Sequence, residues 1–309
     1  MPRIMIDAAV CSDVGQRRER NEDNFFLYNR NISSSPSDRH SLELQSSEDG
    51  VYAVFDGMGG QSYGDEASMY AAITLERYTD EILKYGGEAV ERYIRDVNDG
   101  ICNKIRQYDT RLGSTIVLVS ICNGKLRAYN IGDSPAYLYR HGRIELLSEE
   151  HTVTRQLISA GLLTEEEAKS DKRRHQLTQN LGIFPEELVV QAYESRQYEL
   201  YPGDCILLCS DGVTDSLTDD DLNRILSISE DAASMAQRIV DEVMNKKGSD
   251  NITAMVLNVL SHPDTERDHN HEKSLKRAFG FSFRELLMFF SVSALAGIAT
   301  RFIAGWFFR

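Results

Sequence analysis

An apolar strand that stops abruptly on an aspartate constrains this chain more than any other feature. In "VYAVFDGMGG", residues 51–60, Val51 to Phe55 are all apolar or aromatic and predict a short buried strand. Asp56 is then held at the end of a stiff element. Gly57, Gly59 and Gly60 beside it let a backbone carbonyl or a ligand come close. The design recurs. "ILLCSDG" ends an apolar run on Asp211-Gly212, and "GSDNITAMVLNV" sets Asp250 just before another. "LRAYNIGDSPAYLY" sets Asp133 between two strands, and "RRERNEDNFF" sets Glu22 and Asp23 before a third. Singly, each stretch has the composition of a turn. Acidic residues at five strand ends need a further reason.

If those strand ends meet, their carboxylates repel and require cations. Oxygen ligands without Cys or His partners favour hard ions such as Mg²⁺ or Mn²⁺ over Zn²⁺. Two such ions a few ångströms apart can share a water, make it a hydroxide-like nucleophile and clamp a phosphoryl oxygen. The chemistry that follows is metal-assisted phosphate hydrolysis.

Charge separates this reading from its competitors. The net charge of −14 conceals a basic C-terminal stretch: from Lys273 onward six Lys and Arg face only Glu285, so residues 1–272 carry −19. An acidic body with no basic groove argues against nucleic acid as a partner, and against a two-metal nuclease. The five cysteines are odd in number and form no CxxC; they read as reduced thiols, mostly packing residues. The N-terminus "MPRIMIDAAV" lacks the long apolar core of a signal peptide.

Strand-like runs lie at 114–121, 126–131, 136–140, 189–195, 205–210 and 252–260, and helical runs at 65–80, 88–108, 153–160 and 231–246. "RHGR" at 140–143 predicts a hairpin tip, and Thr218 with Asp221 a capping-box helix start. The Ser-rich stretch 29–50 reads as a long loop between strands. Hairpin-joined strands interrupted by helix pairs predict an α+β sandwich rather than a doubly wound parallel sheet. Residues 261–272 carry three histidines (His262, His269, His271), but nothing fixes them relative to one another, and the stretch reads as a linker.

The ordered set RxxNED, DGMGG, GST, GDSPAYLYR, SDG and SDN, spread from Val10 to Leu260, resembles the metal-dependent protein phosphatases of the PPM (PP2C-like) family in their compact bacterial form. The resemblance implies an αββα four-layer sandwich: two central antiparallel sheets flanked by helices, with Mn²⁺ or Mg²⁺ in a cleft at one end. It implies that Asp56 bridges two ions, that the Gly57 carbonyl ligates one, and that Asp211 and Asp250 complete a shell. Glu22 and Asp23 are implied to act through ordered waters, and Asp133 with Asp211 to hold a possible third ion. Arg18 is implied to grip the substrate phosphate, its planar fork suiting two oxygens at once. Asp56 and Arg18 are thus the expected catalytic residues. Residues 152–182 resemble the family's mobile flap, whose basic run Lys172–His175 either meets acidic phosphopeptides or is simply solvated. Met58 stands where some relatives have a histidine proposed as general acid, so water is the expected proton donor. Pro135 replaces an arginine common after GDS.

The implied activity is hydrolysis of phosphoserine and phosphothreonine in proteins, a cognate Ser/Thr kinase among the expected partners. The alternative is a catalytically idle, phosphatase-like module that binds phosphoproteins; the full set of carboxylates speaks against it. The domains expected are a catalytic body at 1–260, a polar and basic linker at 261–284, and a hydrophobic helix at 285–309. From Leu286 to Phe308 the stretch has 23 residues broken only by Arg301, enough to span a hydrocarbon core of roughly 30 Å. Lys273, Lys276, Arg277 and Arg284 make its near side positive, so the expectation is a single-pass membrane anchor with the body in the cytoplasm. A helix lying on the surface is the alternative, with Arg301 the objection to spanning.

Overall fold

Alternation with a period of two builds the centre of the molecule, and it does so with both faces of each strand apolar. In the computed structural model, which describes residues 4–27, 30–32, 40–59, 63–228 and 230–262, Tyr52 and Val54 of strand Gly50–Phe55 enter one core while Val51, Ala53 and Phe55 enter another. Cys205–Cys209 behaves likewise: Ile206 and Leu208 face one way, Cys205, Leu207 and Cys209 the other. Strands covered on both sides read as continuous apolar runs.

Two sheets result. The six-stranded one runs in the order Arg143–Leu146, Ala136–Arg140, Cys205–Cys209, Ile252–Ser261, Ile4–Asp13, His40–Ser47. The other runs Tyr193–Glu194, Lys125–Ile131, Ile116–Cys122, Gly50–Phe55, Asn24–Leu27, Arg30–Ile32, with Tyr198–Glu199 also on Lys125–Ile131. Antiparallel pairing joins Gly50–Phe55 to Ile116–Cys122 and Cys205–Cys209 to Ile252–Ser261. One core lies between the sheets. A second packs the seven-stranded sheet on helices Gly64–Leu75, Thr79–Tyr85 and Gly87–Tyr108. A third packs the six-stranded sheet on Asp219–Leu226 and Ala232–Asn245. The layers are therefore helix, sheet, sheet, helix.

Local signals in the sequence correspond to local structure. Arg140 pairs with Arg143 across a hairpin whose tip, His141 and Gly142, has φ of 52° and 79°. Two positive φ values match the right-handed twist of the flanking strands. Thr218 and Asp221 form a full capping box. The cysteines are free thiols; the Cys205 thiol is pushed up to about 12 by burial, which makes it inert packing.

The stretch 29–50 is not the long loop expected from its composition. It contains strands Arg30–Ile32 and His40–Ser47, each the outer strand of a sheet. An outer strand needs only one partner's backbone, which leaves its composition free to look like that of a loop. The run 189–195 shortens to the strand Tyr193–Glu194. Among the described residues no helix is long and apolar enough to cross a membrane. The stretch 285–309 and most of the linker before it lie outside the described residues.

Candidate metal centre

The strand ends do converge. A cleft of about 850 Å³ is walled by Arg18, Glu22, Asp56, Gly57, Asp133, Asp211 and Asp250, together with Met58, Arg174, His175 and Asp215. Asp56 follows Gly50–Phe55 in one sheet, and Asp211 follows Cys205–Cys209 in the other, so the cleft opens where the two sheets end together. Gly57 must be glycine: a Cβ there would collide with the carbonyl oxygens of Gly64 and Glu22. Its N–H donates to the Glu22 carbonyl at 3.1 Å, and Gly64 N–H donates to Glu22 Oε1 at 3.3 Å, which brings the Glu22 side chain up to the Asp56 turn.

Hydroxyl groups knit these turns together, and the sequence offered no signal for them beyond ordinary Ser and Thr. Asp56 N–H donates to Thr115 Oγ1 (3.1 Å), which shares a hydrogen bond with Ser134 Oγ (2.7 Å), the residue after Asp133. Gly132 N–H donates to His151 Nδ1 (3.2 Å) on the other side of Asp133. Asn251 pins the loop between Asp13 and Asn24 at three points: its Oδ1 accepts from Glu22 N–H, and its Nδ2 donates to the carbonyls of Val14 and Arg20, each at 2.9 Å.

Asp23 stands apart from the other expected ligands. It is fully buried and does not line the cleft; its Oδ2 accepts from Ser210 Oγ and Thr253 Oγ1, each at 2.7 Å. Those donors sit one residue before Asp211 and three after Asp250. Asp23 thus ties the segment that carries Asp211 to the segment that carries Asp250. Asp65 and Glu66, the extra carboxylates after the glycines, open helix Gly64–Leu75. Glu66 is taken up by Lys104 (3.0 Å) and Tyr108 (2.9 Å) away from the cleft.

The electrostatics are those of crowded anions. Burial, then the neighbouring carboxylates of Asp23 and Asp211, drive the Asp56 carboxyl well above its usual range. Burial and Asp211 raise Asp133 to about 8. Burial raises Asp23 to about 7 against the lowering effect of its two hydroxyl donors. Arg18 lies on the wall with Nη2 2.7 Å from Asp250 Oδ2, and that hydrogen bond raises its own pKa. Arg18 and Arg174 together do not balance the six carboxylates that line the cleft. The donor set, carboxylate and carbonyl oxygens on rigid supports, fits hard divalent cations.

Two residues on the wall were not expected beside the carboxylates: Asp215, and His175, read in the sequence only as part of a basic run. His175, at the end of the basic run, sits with Nδ1 3.7 Å from Asp211 Oδ2 and Nε2 3.6 Å from Asp215 Oδ2. Asp211 raises its pKa. Asp215 lies one helical turn beyond Asp211, a spacing that was legible in "SDGVTDS". The basic run itself splits: Arg173 bonds back to Asp171, while Arg174 reaches within 4.0 Å of Asp215.

A mixed α/β sandwich with a carboxylate-lined cleft where its sheets end defines the class of protein. The family follows from comparison: a profile of the protein phosphatase 2C family matches residues 32–247, and the chain belongs to that family. Serine/threonine protein phosphatase PstP of Mycobacterium tuberculosis is 30% identical over 237 residues, covering 73% of this chain and 44% of PstP; the chain thus spans under half of that relative's length. The serine/threonine phosphatase stp of Listeria monocytogenes is 25% identical over 257 residues, 81% of this chain and 94% of the relative. The crystal structure of M. tuberculosis PstP/Ppp superposes with a TM-score of 0.69 at 26% identity, covering 84% of this chain and all of that one. A structure of the PstP catalytic domain in complex with two manganese ions gives a TM-score of 0.66 at 25% identity, covering 83% and 99%.

Proposed function

We propose that this chain hydrolyses phosphoserine and phosphothreonine monoesters on proteins, in a reaction that depends on Mn²⁺ or Mg²⁺. One observation carries the reading: Asp56, Gly57, Glu22, Asp133, Asp211 and Asp250, from separate segments of the chain, share one cleft with Arg18. Family membership and the two manganese ions of PstP support it. Asp56, the Gly57 carbonyl, Asp211 and Asp250 would hold two ions, with Glu22 acting through water and Asp133 with Asp211 available to a third. When bound, the ions supply Lewis acidity, acidifying water and neutralising phosphoryl charge. Arg18 binds phosphate oxygens through its planar fork, and Asp250 keeps that fork on the wall. Thr115 fixes the Asp56 backbone, so the carboxylate needs no reorganisation when substrate arrives. Met58 has no proton to give, and the departing Ser or Thr oxygen takes one from water. The presence of every expected carboxylate disfavours an idle binding module. The protein should hydrolyse p-nitrophenyl phosphate and a phosphothreonine peptide with added Mn²⁺, lose both activities in EDTA and regain them on Mn²⁺ readdition. Turnover that survives EDTA would overturn the assignment.

The substrates follow from Ser/Thr kinase action, with such a kinase itself among them. We also propose that Leu286–Phe308 anchors the chain as a single membrane span with the body on the cytoplasmic side; its apolar length and the basic residues before it support this. The protein should then stay with membranes through alkaline carbonate, and release into the wash would show a surface-lying segment instead.

A further inference from the structure

His175 joins Asp133 and Asp211 in a cluster whose prospective ligand atoms all lie within 4.8 Å of one another. The three come from separate places: the turn after strand Lys125–Ile131, the 152–182 segment, and the start of the short helix Asp211–Thr214. Two atoms bound to one ion at about 2.1 Å lie no more than about 4.2 Å apart. The 3.7 Å between His175 Nδ1 and Asp211 Oδ2 falls inside that limit, yet is long for a hydrogen bond, and a spread of up to 4.8 Å closes to it by a side-chain shift of roughly half an ångström. The other ring nitrogen faces Asp215 Oδ2 at 3.6 Å. A metal-bound histidine commonly has a carboxylate in that place, accepting from its second N–H and fixing the ring. Arg174 Nε donates to Nε2 at 2.7 Å, and this is the contact that ligation would exchange for Asp215.

The backbone supports the placement. Val153 N–H donates to the Gln176 carbonyl at 2.9 Å and Thr178 N–H to the His151 carbonyl at 2.8 Å, so the base of the 152–182 segment is zipped closed next to His175. The imidazole is presented from a pinned position, while the chain from 157 to 175 is largely exposed.

We propose that His175 is a nitrogen ligand to a cation held with Asp133 and Asp211, and that this bond clamps the 152–182 segment onto the cleft. The inference rests on the metal-dependent reading above and adds to it a residue and a consequence. An imidazole in an otherwise oxygen shell shifts preference from Mg²⁺ toward Mn²⁺ and the later transition metals. It also makes the position of the segment depend on metal concentration, because one ligand belongs to the segment and two to the scaffold.

The test uses the metal-free full-length chain titrated with Mn²⁺ alone. Isothermal titration should resolve tighter sites and a weaker one, and electron spin-echo spectroscopy should show ¹⁴N coupling that grows in as the weaker site fills. His175→Ala should abolish that coupling and weaken this site on the order of tenfold or more, leaving the tighter sites as they are. His175→Gln, which keeps a polar side chain without the ring nitrogen, should behave the same way. Mn²⁺ should also slow tryptic cleavage at Lys172, Arg173 and Arg174 in the wild type but not in His175→Ala. Tight sites with no ¹⁴N coupling, or coupling unchanged in both variants, would overturn the histidine assignment and leave the phosphatase reading standing. Failure to bind any Mn²⁺ would overturn both.

Discussion

One wall of the cleft is the end of strands whose two faces are both buried; the other is the base of the 152–182 segment, Val153 and Arg174 to Leu177, beyond which the side chains are mostly exposed. Asp56 and Asp211 inherit their positions from the cores on either side of Phe55 and Cys209. His175 and Arg174 are held by a few backbone hydrogen bonds at the segment's base and by ion pairs open to water. Surface pairs of this kind hold little energy. A close-packed core, by contrast, does not deform continuously. The two walls therefore differ in rigidity: the strand-end carboxylates are carried by packed sheets, and His175 and Arg174 by a loosely held segment.

The strand-end wall should fail completely when its charge is changed. Asp56→Asn or Asp211→Asn should lower Mn²⁺-dependent kcat by at least about 10²-fold, the loss typical of deleting one preorganised charge-stabilising group, while circular dichroism stays native. Near-normal turnover in either variant would mean that the strand ends are not where the chemistry happens.

Stability should divide along the same line. Leu208→Ala, in the core between the sheets, should cost about 2–5 kcal/mol in denaturant unfolding through lost burial and the cavity left behind. Leu162→Ala, in the segment and 72% exposed, should cost under about 0.5 kcal/mol. Equal costs would erase the distinction between a rigid and an adaptable wall.

Arg18 falls between the two. It follows strand Ile4–Asp13 in a loop, is half exposed, and is tied to the rigid wall only through Asp250. Arg18→Ala should raise KM on the order of tenfold for one lost charge-assisted contact, with a smaller effect on kcat. A loss confined to kcat would place Arg18 with the ligand carboxylates instead.

Most of the rigid wall was legible in the chain before any folding was considered. An apolar run followed by Asp-Gly carries its own geometry: burial fixes the strand, and glycine permits the approach behind it. The adaptable wall was not legible in this way. "KRRH" reads as a solvated charge run, and only folding brings His175 opposite Asp211, 36 positions further along the chain.

The residue pattern is enough for the elements whose reasons are local. It set which strands are covered on both faces, where the chain turns at His141–Gly142, where the helix after Thr218 begins, and which carboxylates sit at strand ends. Tertiary structure alone decided what depends on a partner distant in sequence. It made Arg30–Ile32 and His40–Ser47 strands, because a neighbouring backbone was available to each. It tied Asp23 to Ser210 and Thr253, because a carboxylate buried that deeply is stable only where hydroxyl donors reach it. It brought His175 to the wall, because the pairing of Gln176 with Val153 closes a loop that no local pattern announces.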